Sequence, residues 1–79
     1  MDGKRVIPDE KVKELFCYEA NIADHSTKGI GVTESGKYYI VETHEYNVGS
    51  AYSCYRIYYS IEPEKVSYYQ KIAEARKRT

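Results

Sequence analysis

The stretch that decides the fold is residues 38–61, YYIVETHEYNVGSAYSCYRIYYSI. Seven of the ten tyrosines of the chain fall within it. Two runs rich in Tyr, Ile and Val flank Asn47-Val48-Gly49-Ser50, the pattern of a β-hairpin. With a loop from Asn47 to Ala51, Tyr46 faces Tyr52, His44 faces Cys54, Glu42 faces Arg56, Ile40 faces Tyr58 and Tyr38 faces Ser60. The other face then pairs Thr43 with Tyr55, Val41 with Ile57 and Tyr39 with Tyr59. One face becomes an aliphatic and aromatic ladder. The other carries the Glu42–Arg56 charge pair among aromatics. Cross-strand pairs of these kinds contribute roughly 0.2–1 kcal/mol each. A slip of one residue would send every side chain to the opposite face.

Seventy-nine residues correspond to one domain, with residues 1–7 read as a flexible tail. A core this small gives modest stability. The hydrophobic set is dominated by Tyr, Ile and Val, with one Phe and no Trp, which favours strands over long helices. Twelve basic and twelve acidic residues cancel, so no global field attracts nucleic acid or an anionic membrane. No apolar run is long enough for a transmembrane helix, and no N-terminal pattern reads as a signal peptide. A cytoplasmic protein is expected, with Cys17 and Cys54 as free thiols.

Upstream of the hairpin, Pro8-Asp9-Glu10 has the chemistry of a helix start. Val12, Leu15, Phe16, Ala20 and Ala23 form a helical stripe. The same region also alternates, with Phe16, Tyr18, Ala20 and Ile22 against Cys17, Glu19 and Asn21. Periodicity therefore fits either a helix or a short helix followed by a strand. The intrinsic propensity of Lys11-Val12-Lys13-Glu14-Leu15 favours the helix. Residues 24–29 read as a loop, Ile30 to Thr33 as a short strand, and residues 34–37 as a turn. Glu62-Pro63-Glu64 starts a final helix. Its buried stripe is Val66, Tyr69, Ile72 or Ala73, and the stem of Arg76. The basic Lys71, Arg76, Lys77 and Arg78 lie toward its C-terminus. The expected fold is α+β, in the order α-β-β-β-α. Helices pack on one face of a three-stranded, or four-stranded, antiparallel meander.

Candidate chemistry is sparse. His44 opposite Cys54 has the residue types of an activated thiol or a metal ligand pair, but no third orienting group is evident. Cys17, His25, His44 and Cys54 are separated by seven, eighteen and nine residues, unlike the short paired spacings of structural zinc sites. Gly29-Ile30-Gly31 begins like a phosphate loop, yet Glu34 occupies the place of the third glycine. No cofactor and no metal are expected, and the chain is not read as an enzyme.

The α-β-β-β-α order resembles double-stranded RNA-binding domains in topology alone. Glu62-Pro63-Glu64 stands where those domains carry a basic cluster. Single-stranded nucleic acid stacking on sheet tyrosines is an alternative, opposed by Glu42 and by zero net charge. The favoured reading is a small protein-binding module. Its surface is Tyr38, Ile40, Tyr46, Tyr52, Arg56 and Tyr58, with Glu42 and His44 setting polar register. The expected partner is another protein or protein complex, with a homodimer as the alternative. Occlusion of a partner enzyme, as small phage-encoded inhibitors such as anti-CRISPR proteins achieve it, is an analogy from size and lack of chemistry.

Overall fold

The computed structural model of the protein describes residues 3–77. The strands are β1 (Arg5–Val6), β2 (Lys13–Asn21), β3 (Ser26–Val32), β4 (Tyr38–Val48) and β5 (Ala51–Ser60). A 3₁₀ turn (Pro63–Lys65) leads into the helix α1 (Val66–Lys77). The five strands make one antiparallel sheet in the order β1-β5-β4-β3-β2. The expected α-β-β-β-α order is therefore corrected: the described residues run through five strands before the helix α1.

The correction lies in residues 8–23. Lys13–Asn21 is strand, not helix, and it pairs along β3 from Lys13↔Val32 to Asn21↔Ser26. Without that partner, β3 would present an open edge beside its buried Ile30, so pairing overrides the local helix preference. The pairing shifts register between Glu14 and Phe16 and again between Cys17 and Glu19. Each bulge inserts a residue and disturbs the two-residue period. A tight turn closes this hairpin. The Asn21 side chain accepts from the Asp24 amide at 3.2 Å and donates to the Asp24 carboxylate at 3.0 Å. His25 takes a positive φ of 52° there. Residues 5 and 6, expected within the tail, add to the edge of β5.

The β4–β5 register is also corrected. Val48 pairs with Ala51, which leaves a two-residue turn, Gly49-Ser50, with Gly49 at φ 64°. A positive φ at the first central residue matches the strand twist and is available to glycine at little cost. Asn47 and Val48 stay in the strand, and the pairing moves by one residue. Tyr46 faces Ser53, His44 faces Tyr55, Glu42 faces Ile57 and Ile40 faces Tyr59.

Two layers follow from this register. On one face Ile30 and Ile40 lie under α1, with Tyr18, Tyr69 and Ala73 completing the buried cluster. The rings of Tyr18 and Tyr69 are 4.6 Å apart. Phe16, Tyr38, Tyr59, Ile61, Val66 and Ile72 pack around it. The expected stripe of the last helix is thus present in Val66, Tyr69, Ile72 and Ala73, while Arg76 is exposed. Arg78 lies outside the described residues. On the other face the segment from Ile7 to Val12 links the two sheet edges. Val12 lies over Gly31, filling the space a side chain there would need, and Ser35 donates to the Glu10 carboxylate at 2.5 Å. Tyr39 and Val41 are buried beneath this strap.

Candidate interaction surface on the projecting hairpin

β3 begins at Ser26, opposite His44. The Glu45 amide still donates to the His25 carbonyl at 2.9 Å, and past that bond β4 and β5 continue to the turn as a two-stranded arm beyond the layered part of the sheet. Neither α1 nor the strap packs on it. Its large side chains are open: Tyr46 is 45 % exposed, Val48 63 %, Tyr52 64 % and Tyr55, at its root, 49 %.

The two faces of the arm differ in chemistry. The helix-side face holds a chain of contacts. The Glu42 carboxylate pairs with Nε2 of His44. The His44 ring stacks on Tyr55 at 4.9 Å and 13°. Tyr55 meets Tyr46 at 6.0 Å, and Ser53 donates to the Tyr46 hydroxyl at 3.2 Å. His44 and Glu42 are half-buried at the root of the arm, so they fix the direction of the more open tyrosines. Lys28 lies across from Glu42 and reaches Glu19 at 3.8 Å, which extends the polar border. The strap-side face holds Glu45, Tyr52, Cys54 and Arg56. Desolvation on the strand surface, followed by the charge and hydrogen bond of Glu45, pushes the Tyr52 phenol above its ordinary pKa.

The eight residues singled out in the sequence do not share one face. Tyr38, Ile40, Glu42, His44 and Tyr46 lie on the helix side; Tyr52, Arg56 and Tyr58 lie on the strap side. Ile40 is buried under α1, and Tyr38 packs against the same core. Tyr58 is half-buried and meets Tyr39 edge-on at 6.4 Å. Glu42 and Arg56 do not pair, because Glu42 faces Ile57 and Arg56 faces Thr43. The exposed residues that sequence reasoning missed are Tyr55 and Val48. The expected register places Tyr55 in the aliphatic and aromatic ladder and Val48 in the loop. The positive-φ demand of Gly49 is the signal that would have placed both.

The same shift removes the thiol chemistry. His44 and Cys54 stand on opposite faces, since Cys54 pairs with Glu45. Cys17 and Cys54 are free and exposed. Among the described residues no cluster of three His, Cys, Asp or Glu side chains could hold a metal ion. The best-formed hollow, about 640 Å³, lies between the strap and β5, lined in part by Arg5, Lys11, Arg56, Glu10 and Glu14. Its charges are mixed in sign, and no single ligand charge satisfies them. No helix among the described residues is long and apolar enough to cross a membrane.

Comparison with known proteins matches the chain to no family model, no curated protein and no solved structure. The surface is therefore read from its own chemistry.

Proposed function

We propose that this chain is a non-catalytic protein-binding module that works through its projecting hairpin. The observation that supports the reading is the arm itself. Large aromatic and aliphatic side chains extend past the layered core, and neither the helix nor the strap packs on them. Tyrosine on a rigid strand buries a large area at low entropic cost, which suits it to interface hot spots. The Glu42–His44–Tyr55 contacts hold the platform in place before a partner arrives, which lowers the ordering cost of binding. A module of this kind acts by covering a partner's working surface, so inhibition by occlusion is the proposed mode. The exposed free thiols suit a reducing compartment, and the cytoplasm is the proposed location.

The experiment is affinity capture with the immobilised full chain from the cell of origin, followed by titration calorimetry against each purified captured protein. The reading expects one protein to bind directly, with a weak dependence on salt. Binding that collapses with added salt and is matched by single-stranded oligonucleotide would replace it with the nucleic-acid reading.

A further inference from the structure

The two edges of the sheet are built differently. β2, at one edge, carries two bulges and the charged Lys13, Glu14 and Glu19. Bulges and charges are the usual protection of an edge strand. β5, at the other, is covered by β1 only at Tyr58 and Tyr59, with Ser60 donating to the Lys4 carbonyl at 3.0 Å. Among the described residues no strand pairs with the outer edge from Ala51 to Ile57, which is regular in its pairing with β4 and carries one charge, Arg56. The two-residue turn fixes which main-chain groups are free. Val48 and Ala51 form the hydrogen-bonded pair that closes such a turn. Alternate residues then point inward to β4, and Tyr52, Cys54 and Arg56 point their amides and carbonyls outward. The outward amide of Ser60 has the same parity.

We infer that this open edge pairs with the same edge of a second copy of the chain, antiparallel about a two-fold axis at Cys54. The free span has Cys54 at its midpoint, and β1 blocks extension past Ile57. Pairing the whole span therefore places Cys54 opposite Cys54 of the second copy. On the strap side, Tyr52 lies opposite Arg56 of the second copy, and the symmetry makes this contact twice. A guanidinium against a tyrosine ring is attractive, and Glu45 borders the same Tyr52. Among the described residues Arg56 forms no ion pair within its own chain, so it is available for that contact. On the helix side, Ala51 lies opposite Ile57 and Ser53 opposite Tyr55. No two like charges face one another. This complementarity of the span with itself is what selects a second copy over an unrelated strand.

The pairing also sets the two Tyr46–Tyr55 platforms side by side on one continuous face. The inference does not rest on the protein-binding reading, because its test needs no other partner.

The test uses the full chain. Sedimentation velocity from micromolar to millimolar concentration reads the association. Cys54→Lys places two ammonium groups against each other on the axis at an exposed position. It is expected to weaken the dimer by about tenfold or more while circular dichroism stays unchanged. Arg56→Ala is expected to weaken it by about tenfold through loss of the two ring contacts. Independently, a Cys17→Ser chain treated with diamide should form the Cys54–Cys54 disulfide rapidly when native and slowly in urea. Two thiols lose two protons and two electrons to the diamide, which becomes the hydrazine. A wild-type chain that stays monomeric at millimolar concentration overturns the inference. So does a dimer that Cys54→Lys leaves intact, or cross-linking that urea does not slow.

Discussion

The root and the tip of the β4–β5 hairpin are made from the same residue types and do different work. At the root, Tyr39 and Tyr59 lie beside Val41 and Ile40, covered by the strap or by α1. At the tip, Tyr46, Tyr52 and Tyr55 stand open. Tyrosine recurs along both strands from root to tip. The difference comes from what lies beside them: β3 pairs with β4 as far as His44, and the helix covers Ile30 and Ile40 at the root. A tyrosine's role in this chain is set by where its neighbouring layers end, and not by its own propensity.

Substitutions at the root should break this contrast most strongly. Ile30 is fully buried between β2 and β4, so Ile30→Ala should cost about 3 kcal/mol. In a domain this small, that would remove much of the stability, read as a large fall in the urea midpoint. Gly29→Ala comes next. An added Cβ would sit 2.4 Å from the Phe16 carbonyl oxygen, a backbone atom that cannot swing aside. Separation of β2 from β3 should cost about 1–3 kcal/mol, measurable by thermal unfolding.

At the turn, Gly49→Ala forces a side chain into positive φ at 64° with no steric neighbour. The cost should be about 1 kcal/mol, with the loss concentrated in the amides nearest the turn when exchange is followed by NMR. At the tip itself, Tyr52→Ala should change unfolding free energy by no more than about 0.5 kcal/mol, since the residue is 64 % exposed.

The smallest effect expected is one of pH, and it lies outside the hairpin. The Glu64 carboxylate, at the start of the helical segment, is held below its ordinary pKa by its own backbone amide, then by Glu62. A lowered folded pKa contributes stability above the unfolded value and loses it as pH falls through the folded one. Stability should therefore decline slightly as pH drops below about 4.3, and Glu64→Gln should flatten that slope. Urea unfolding across the acid range would measure it.

This contrast explains what could be seen in the sequence. The hairpin was legible because Tyr, Ile and Val crowd both sides of a turn. The last helix was legible from Pro63 and from the spacing of Val66, Tyr69 and Ala73. The register was not, because Asn47 and Val48 resemble loop residues until the turn is known to be Gly49-Ser50 only, with Gly49 at positive φ. That single residue reverses the face of every β5 side chain relative to β4. It moves Tyr55 from the expected ladder to the open platform and parts His44 from Cys54. The strand at Lys13–Asn21 was hidden for a related reason. The alternation from Phe16 to Ile22 fits a strand, but the helical stripe of Val12, Leu15, Phe16 and Ala20 and the local propensity favour a helix, and the β3 partner that decides the matter lies beyond the reach of local propensity. Exposure was half legible. Tyr46 and Tyr52 were recognised as surface, whereas Tyr38 and Ile40 belong to the core.

The most direct test of the division between root and tip is a Tyr46→Ala, Tyr55→Ala double variant, measured for unfolding free energy and for affinity toward the captured protein. The account predicts a stability loss below about 1 kcal/mol together with loss of binding. A variant that unfolds, or one that binds as the wild type does, would contradict it.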